Sequence, residues 1–283
     1  MSVQSAAEYC RVILDQSGSS FGTAIAFLPP EKRRAMTAFY AFCRAVDDAV
    51  DYAENSAAAR RALLVWDYRL DAAFDGHPLD PIGEELWMAH KTFGLRKEHL
   101  ALILDGCRWD LFRSRYATFA ELYAYCYRVA SAVGFAVVTI TSGDRDDLIR
   151  YAELTGIAVQ LTNIIRDIGE DARTGRIYLP QEDLALFGVR EADLLAGTES
   201  PALRGLITFE AARAKEFYRL ADAAVPRPIP RTLAFAETVR ETYASLLAEL
   251  ERAGFPVLTC RISLPTRRKI AIAAKHLVFA TFT

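Results

Sequence analysis

The chain is predicted to be all-α, and three observations carry that expectation. Glycine and proline are sparse, 15 and 11 among 283 residues, while Ala, Leu and Arg dominate long segments, a balance that favours helix over strand and turn. Apolar residues recur at helical spacing, with polar residues gathered on narrow stripes. Two of those stripes are acidic and sit on segments that are otherwise apolar nearly all round, so these helices should be buried rather than laid on a surface.

In chain order, residues 5–16 form a short first helix. A hydroxyl-rich break follows, Ser17-Gly18-Ser19-Ser20-Phe21-Gly22, whose N–H groups and hydroxyls can cap a helix start or hold an anion there. Leu28-Pro29-Pro30 stops that segment, and residues 31–51 form the first long helix. An Ala-rich helix over 56–74 ends at Asp75-Gly76-His77-Pro78, and helices over 82–93 and 97–111 flank Gly94. Residues 119–143 read as helix with small residues at helical spacing, which let helices approach closely or leave room for a ligand. Residues 144–171 carry the second acidic stripe and run into Gly175-Arg176-Ile177-Tyr178-Leu179-Pro180, a helix exit. Helices over 203–224 and 232–252 are separated by a proline-rich turn at 226–230, and 261–279 reads as a basic, apolar last helix. No repeat, low-complexity linker or composition shift marks a boundary, so residues 1–283 are expected to be a single domain.

Composition excludes several functions. A net charge of -2, with acids and bases interspersed, leaves no nucleic-acid footprint. The five cysteines are scattered and never in Cys-x-x-Cys spacing, which fits a reducing cytoplasm and argues against a disulfide scaffold or a zinc site. The N-terminus lacks a basic region followed by an apolar core. The longest apolar runs, near 130–141 and 270–283, are too short or too interrupted for a transmembrane helix. The expectation is a cytoplasmic protein, with peripheral membrane contact open through Arg267, Arg268, Lys269 and Lys275 of the last helix.

The acidic stripes carry the chemistry. Gln160, Asn163, Asp167 and Asp171 fall at i, i+3, i+7 and i+11 and project from one side of a helix; Tyr40, Arg44, Asp47 and Asp51 do the same earlier, with Asp48 beside them. One Asp-x-x-x-Asp on a helix is ordinarily a solvated face or an ion-pair partner. Two such pairs on buried helices would each cost roughly several kcal/mol without a partner, and the partner that fits is a cation. The stripes are therefore expected to face each other across a cavity. Carboxylate and carbonyl oxygens suit Mg2+, which is held by one or two carboxylates together with substrate phosphates. Arg44 and Arg166, one in each motif, suit the same diphosphate through their bidentate forks. Apolar and aromatic walls would suit a hydrocarbon tail and keep water from a carbocation. The geometry is shared by head-to-tail prenyltransferases and class I terpene cyclases, so the stripes alone leave the enzyme open.

The flanking residues resemble the squalene and phytoene synthase family, which joins two prenyl diphosphates head to head. The similar segments are Ser19-Ser20-Phe21, Leu28-Pro29, Tyr40-Ala41-Phe42-Cys43-Arg44 with Asp47-Asp48-x-x-Asp51, Tyr125-Cys126-Tyr127 with Val129-Ala130 and Val133-Gly134, Gln160-Leu161-x-Asn163-Ile164-x-Arg166-Asp167 with Glu170-Asp171, and Arg176-Ile177-Tyr178-Leu179-Pro180. They run in family order from about residue 15 to residue 190.

The resemblance implies the isoprenoid synthase helical bundle around a central cavity. It implies Mg2+ held by Asp47 and Asp51 on one side and by Asn163, Asp167 and Asp171 on the other. Diphosphate contacts are implied for Tyr40, Arg44, Gln160, Arg166, Arg176 and the loop carrying Ser17, Ser19, Ser20 and Phe21. Tyr125 is similar to a tyrosine near the proton-loss step, Tyr178 to one facing the cavity, and Phe255 falls near a cavity tyrosine of some members. Some members carry lysine where this chain has Ser19.

The implied reaction makes presqualene diphosphate from two farnesyl diphosphates and can continue to squalene with NADPH, or to dehydrosqualene by proton loss. The alternative is phytoene from two geranylgeranyl diphosphates. NADPH has no signal of its own, since no Gly-x-Gly-x-x-Gly loop follows a strand. A class I cyclase and a non-catalytic assembly factor of the same family are the remaining alternatives.

Overall fold

Helix starts are encoded locally by side chains that accept from the first free N–H groups. Ser5 caps α1 (Ala6–Gln16), and α2 (Ser20–Ile25) follows. Pro30 opens α3 (Pro30–Asp51), Asn55 caps α4 (Ser56–Phe74), and Asp80 with Pro81 opens α5 (Pro81–Phe93), which closes on Gly94 in the left-handed region. α6 (Lys97–Phe112) is followed by α7 (Phe119–Cys126), capped by Thr118, by a single π-helical turn (Tyr127–Ser131) and by α8 (Ala132–Ser142). Next come α9 (Ile149–Arg173), α10 (Gln181–Phe187), α11 (Glu191–Leu195), α12 (Pro201–Ala224) capped by Ser200, α13 (Ala234–Arg252) and α14 (Thr266–Ala273), which ends in a second π-turn. The computed structural model describes residues 5–17 and 20–278, and every regular element in them is helical.

The long α9 is the axis of the bundle. Its first turns, with Tyr151, Ala152 and Leu154, join a core built on α3 to α6 and α8; its later turns, from Ile157 to Ile168, join a second core with α7, α12 and α13. Two glycines let α8 and α9 approach far closer than side chains would permit. A Cβ on Gly156 would stand 2.5 Å from the backbone of Ser131, and one on Gly134 would stand 2.8 Å from the Ala152 carbonyl oxygen. These contacts pair residue 131 with 156 and 134 with 152, so α8 and α9 run antiparallel along one wall of a cavity.

Most expected helices form within a residue or two of their predicted bounds, and the exceptions have local causes. Beyond the predicted exit at 175–180, where the sequence predicts no element, the chain folds into α10 and α11; each is too short, at 7 and 5 residues, to show a periodic pattern. The last helix starts at Thr266 rather than at 261, because Pro265 keeps the residue before it out of helical geometry. The apolar run near 130–141 lengthens, since the π-turn fuses α7 and α8 into one stretch, Phe119–Ser142, long and apolar enough to cross a bilayer by length and composition; 67% of its most apolar window is buried inside the protein. Of the basic residues in the last helix, Lys275 is bonded to Glu241 at 2.6 Å, Arg268 lies 3.7 Å from Glu249, and Lys269 lines an internal cavity.

Candidate active site

The first acidic stripe ends α3. Asp47 is exposed to solvent at the cavity it lines. Burial and then the neighbouring Asp51 charge push its carboxyl up to about 6. Among the described residues its one hydrogen-bond neighbour is the Cys107 thiol, which donates to Oδ1 at 3.8 Å. Arg44 does not pair with Asp47 or Asp51; it reaches Asp48 at 2.6 Å across one helical turn. Tyr40, one turn earlier, is half-buried beside it.

The second stripe lies on the later turns of α9. Asp167 is already held: Arg166 grips it with both arms of its guanidinium, Nε donating to Oδ1 at 2.8 Å, and Arg261 adds a third contact at 3.1 Å. Among the described residues Asp171 has no such partner; it lines a separate small cavity with Arg176 and Tyr178, and burial followed by the Asp167 charge pushes its carboxyl up to about 7. Asn163 leaves its Oδ1 buried and unpaired, while its Nδ2 stands 3.5 Å from Gln160 Oε1. A buried amide oxygen without a donor is costly in an empty site and fits a cation ligand.

Between the stripes stands Asp110 of α6, a residue the sequence reading did not single out. Tyr125 donates to its Oδ2 at 3.0 Å and Tyr178 to its Oδ1 at 3.0 Å. Burial raises its pKa, and these two phenols and Arg176 pull it back. Its charge acts on Asp47 and on Asp171 alike, which places the two stripes around one region. Burial works against the charge of Arg176, but Tyr178, Asp110, Tyr125 and Asp51 outweigh it and push that guanidinium up. Tyr116 completes the group, its ring 5.3 Å from Tyr125 and 5.8 Å from Tyr178. The loop pairing that brings these rings together is backbone: Ile177 donates to Ser114 at 3.0 Å and Gln181 to Tyr116 at 2.9 Å. Asp110 sits on a helix with no acidic stripe, so the sequence carries no signal for it.

A cavity of about 330 Å3 opens at Asp47, Gln160 and Asn163 and runs down between the π-turn, α8, α9 and α13 past Val129, Val133 and Val159. A smaller one of about 90 Å3 shares Phe21, Val239 and Tyr243 with it and is lined by Arg166 and Lys269. The head of the space is polar and its depth apolar. The π-turn shifts the register of Tyr127–Ser131 where Val129 and Ala130 form the wall; such turns often mark functional sites.

The donors present suit Mg2+. Among the described residues no three carboxylates, imidazoles or thiolates stand as one metal-binding group. Asp47, Asp51, Asp171 and the Asn163 amide are hard oxygen donors without cation contacts of their own, in a number that leaves coordination positions for water and phosphate.

The remaining site expectations divide. Phe21 lines both cavities. Ser17 uses its hydroxyl to donate to the Leu14 carbonyl at 2.7 Å, closing α1. Ser19 and the side chain of Ser20 lie outside the described residues. Phe255 is corrected: it is held at φ 56 beside Gly254 and packs near Leu203 and Val257, away from the main cavity, where the aromatic wall is Tyr243. Arg261 and Tyr243 carry no signal in the sequence because they come from segments without a motif, and Lys269, expected at a membrane face, lines the smaller cavity instead.

Comparison with known proteins places this geometry. A solved structure of a dehydrosqualene synthase superposes with a TM-score of 0.86 at 27% identity, covering 98% of this chain and 97% of that one. The architecture is thus the all-α isoprenoid synthase fold. Residues 14–268 match the family model for squalene/phytoene synthase. Phytoene synthase of Arthrospira platensis is 40% identical over 93% of this chain and 89% of its own, and 15-cis-phytoene synthase of Synechocystis is 36% identical over 95% and 83%. The chain belongs to the squalene/phytoene synthase family, and it is a prenyltransferase of isoprenoid biosynthesis.

Proposed function

We propose that this single-domain prenyltransferase couples two C20 geranylgeranyl diphosphates head to head, through a cyclopropyl diphosphate, to phytoene. The observation that supports the coupling is that Asp47 of the first stripe and Gln160 and Asn163 of the second line one cavity, polar at its head and apolar in its depth, while the charge of Asp110 acts on Asp47 and Asp171 alike. The motifs taken alone favoured two C15 farnesyl chains. The relatives named phytoene synthase, matched over more than nine-tenths of the chain, support the C20 alternative instead. The dehydrosqualene synthase likeness keeps the C15 reaction as the second reading.

Asp47 and Asp51 would hold Mg2+ from one side, and Asn163, Asp167 and Asp171 from the other; the ion would supply charge neutralisation at the departing diphosphate. Arg44, Arg166, Arg176, Gln160, Tyr40 and the Ser17–Ser20 loop would grip the diphosphates, for which Arg166 must trade one Asp167 contact for phosphate. The valine-lined depth excludes water while the cation lasts. When a proton leaves the coupled product, Tyr125 can take it at Oη while passing its own to Asp110 Oδ2, 3.0 Å away; the released diphosphate is the competing acceptor. The route to phytoene ends in proton loss and uses no reductant. Cytoplasmic residence with peripheral contact to a membrane through α14 remains our reading, resting on exposed Arg267, Arg268 and Ile270. Liposome flotation that leaves the protein in the aqueous fraction would remove it.

The deciding experiment incubates the protein with Mg2+ and labelled C15 or C20 diphosphate, with and without NADPH. A C40 product from the C20 substrate, unchanged by NADPH, is expected. A C30 product formed in preference would restore the farnesyl reading, and a cyclic monomer would end the head-to-head assignment.

A further inference from the structure

At the end of the cavity far from Asn163 the walls are not only apolar. Along α9, Asn163, Gln160, Gly156, Ala152 and Tyr151 line the space in turn, so Tyr151 lies twelve residues, about 18 Å of helix, below the metal-facing amide. Along α13, Tyr243, Val239 and Ala236 descend in parallel, and Val138 of α8 comes in from the third side. Tyr151 is fully buried, and its hydroxyl donates to Glu237 Oε1 at 2.6 Å. Glu237 is itself buried and is held by Arg240, Nε donating to Oε1 at 2.9 Å and Nη2 to Oε2 at 2.7 Å. A phenol in an apolar tunnel would be free to turn aside if only packing held it. This one is fixed to the neighbouring helix by a charge-assisted bond whose acceptor is pinned in turn.

We infer that Tyr151, locked by Glu237 and Arg240, is the stop that sets the longest prenyl chain this enzyme accepts. The inference deepens the proposed coupling activity and rests on the cavity being the prenyl tunnel. Each added C5 unit must pass or displace the ring, and displacement leaves Glu237 with a missing donor in a buried place. A small side chain at 151 leaves the Glu237–Arg240 pair intact and opens the floor, whereas a larger side chain at 236 raises it.

The test compares the wild type with Tyr151→Ala and Ala236→Leu, each first shown to be folded by circular dichroism. Two readouts cover C15, C20 and C25 diphosphates: product formation, and thermal stabilisation by the unreactive thiodiphosphate analogues. Tyr151→Ala should raise the C25-to-C20 ratio by about tenfold or more, and Ala236→Leu should raise the C15-to-C20 ratio by about as much. Unchanged ratios in folded variants overturn the inference, as do shifts in the opposite direction. If Tyr151→Ala does not fold, Ala236→Leu decides alone, by the same rule. If no protein forms product while stabilisation follows chain length as stated, the stop stands and the coupling reading falls.

Discussion

The two acidic stripes look alike in sequence and differ in what they have around them. On α3 the carboxylate that lines the cavity, Asp47, has no ion pair among the described residues: Arg44 is spent on Asp48, and Asp47 has a thiol nearby. On α9 the central carboxylate is already neutralised by Arg166 and Arg261, while Asp171, one turn on, is not. A crowded carboxylate with no ion-pair partner either takes up a proton or recruits a cation, and the carboxyls of Asp47 and Asp171 are both pushed up by their surroundings. Asp167 instead serves as a switch point between arginine and ligand.

The sharpest way to break this comparison is to neutralise the bare groups. Asp47→Asn and Asp171→Asn should each lower turnover on the order of a hundredfold or more, with the fold retained; a variant keeping near wild-type rates would remove that residue from the metal assignment. Asp110→Asn should follow at about a hundredfold, since it removes the acceptor shared by Tyr125 and Tyr178; steady-state kinetics with unchanged kcat would show that Asp110 only supports packing. Gly156→Ala should unfold the protein about 1–3 kcal/mol more easily in urea, because α9 must back away from Ser131; an unchanged midpoint would mean that the wall relaxes freely.

A smaller effect concerns pH. In the metal-free protein Asp47 and Asp171 bind protons more tightly folded than unfolded, so their contribution to stability falls as pH rises from about 4 to 7 and is lost above it. Mg2+ with inorganic diphosphate binds the charged forms and releases those protons. Thermal stabilisation by that pair should therefore grow between pH 5.5 and pH 8, and equal shifts at both would contradict the raised carboxylates.

Much of the site was legible because helical periodicity projects i, i+4 and i+8 onto one side of a helix, which puts Asp47 with Asp51 and Asn163 with Asp167 and Asp171 from spacing alone. The long helices were legible for the same reason, helped by Asn55, Asp80 and Ser200 at their starts. What stayed hidden depends on contacts between distant segments. Asp110 gains its place only when the loops around Ser114 and Ile177 pair and bring Tyr125 and Tyr178 to it. Arg261 reaches Asp167 from 94 residues away. The π-turn at Tyr127–Ser131, which packs against α9 at Gly156, has no residue signature in the sequence. The Tyr151–Glu237 lock joins positions 86 apart that look like unrelated polar residues on two amphipathic helices.

The central claim is that both stripes grip one ligand, and a double-mutant cycle reads this directly. Binding of Mg2+-diphosphate is measured by calorimetry for the wild type, Asp47→Asn, Asp171→Asn and the double variant. If the stripes share the ligand, the two losses are strongly non-additive, with the double variant scarcely weaker than the poorer single one. Losses that simply add would mean two independent sites, and the account of a shared diphosphate clamp would be wrong.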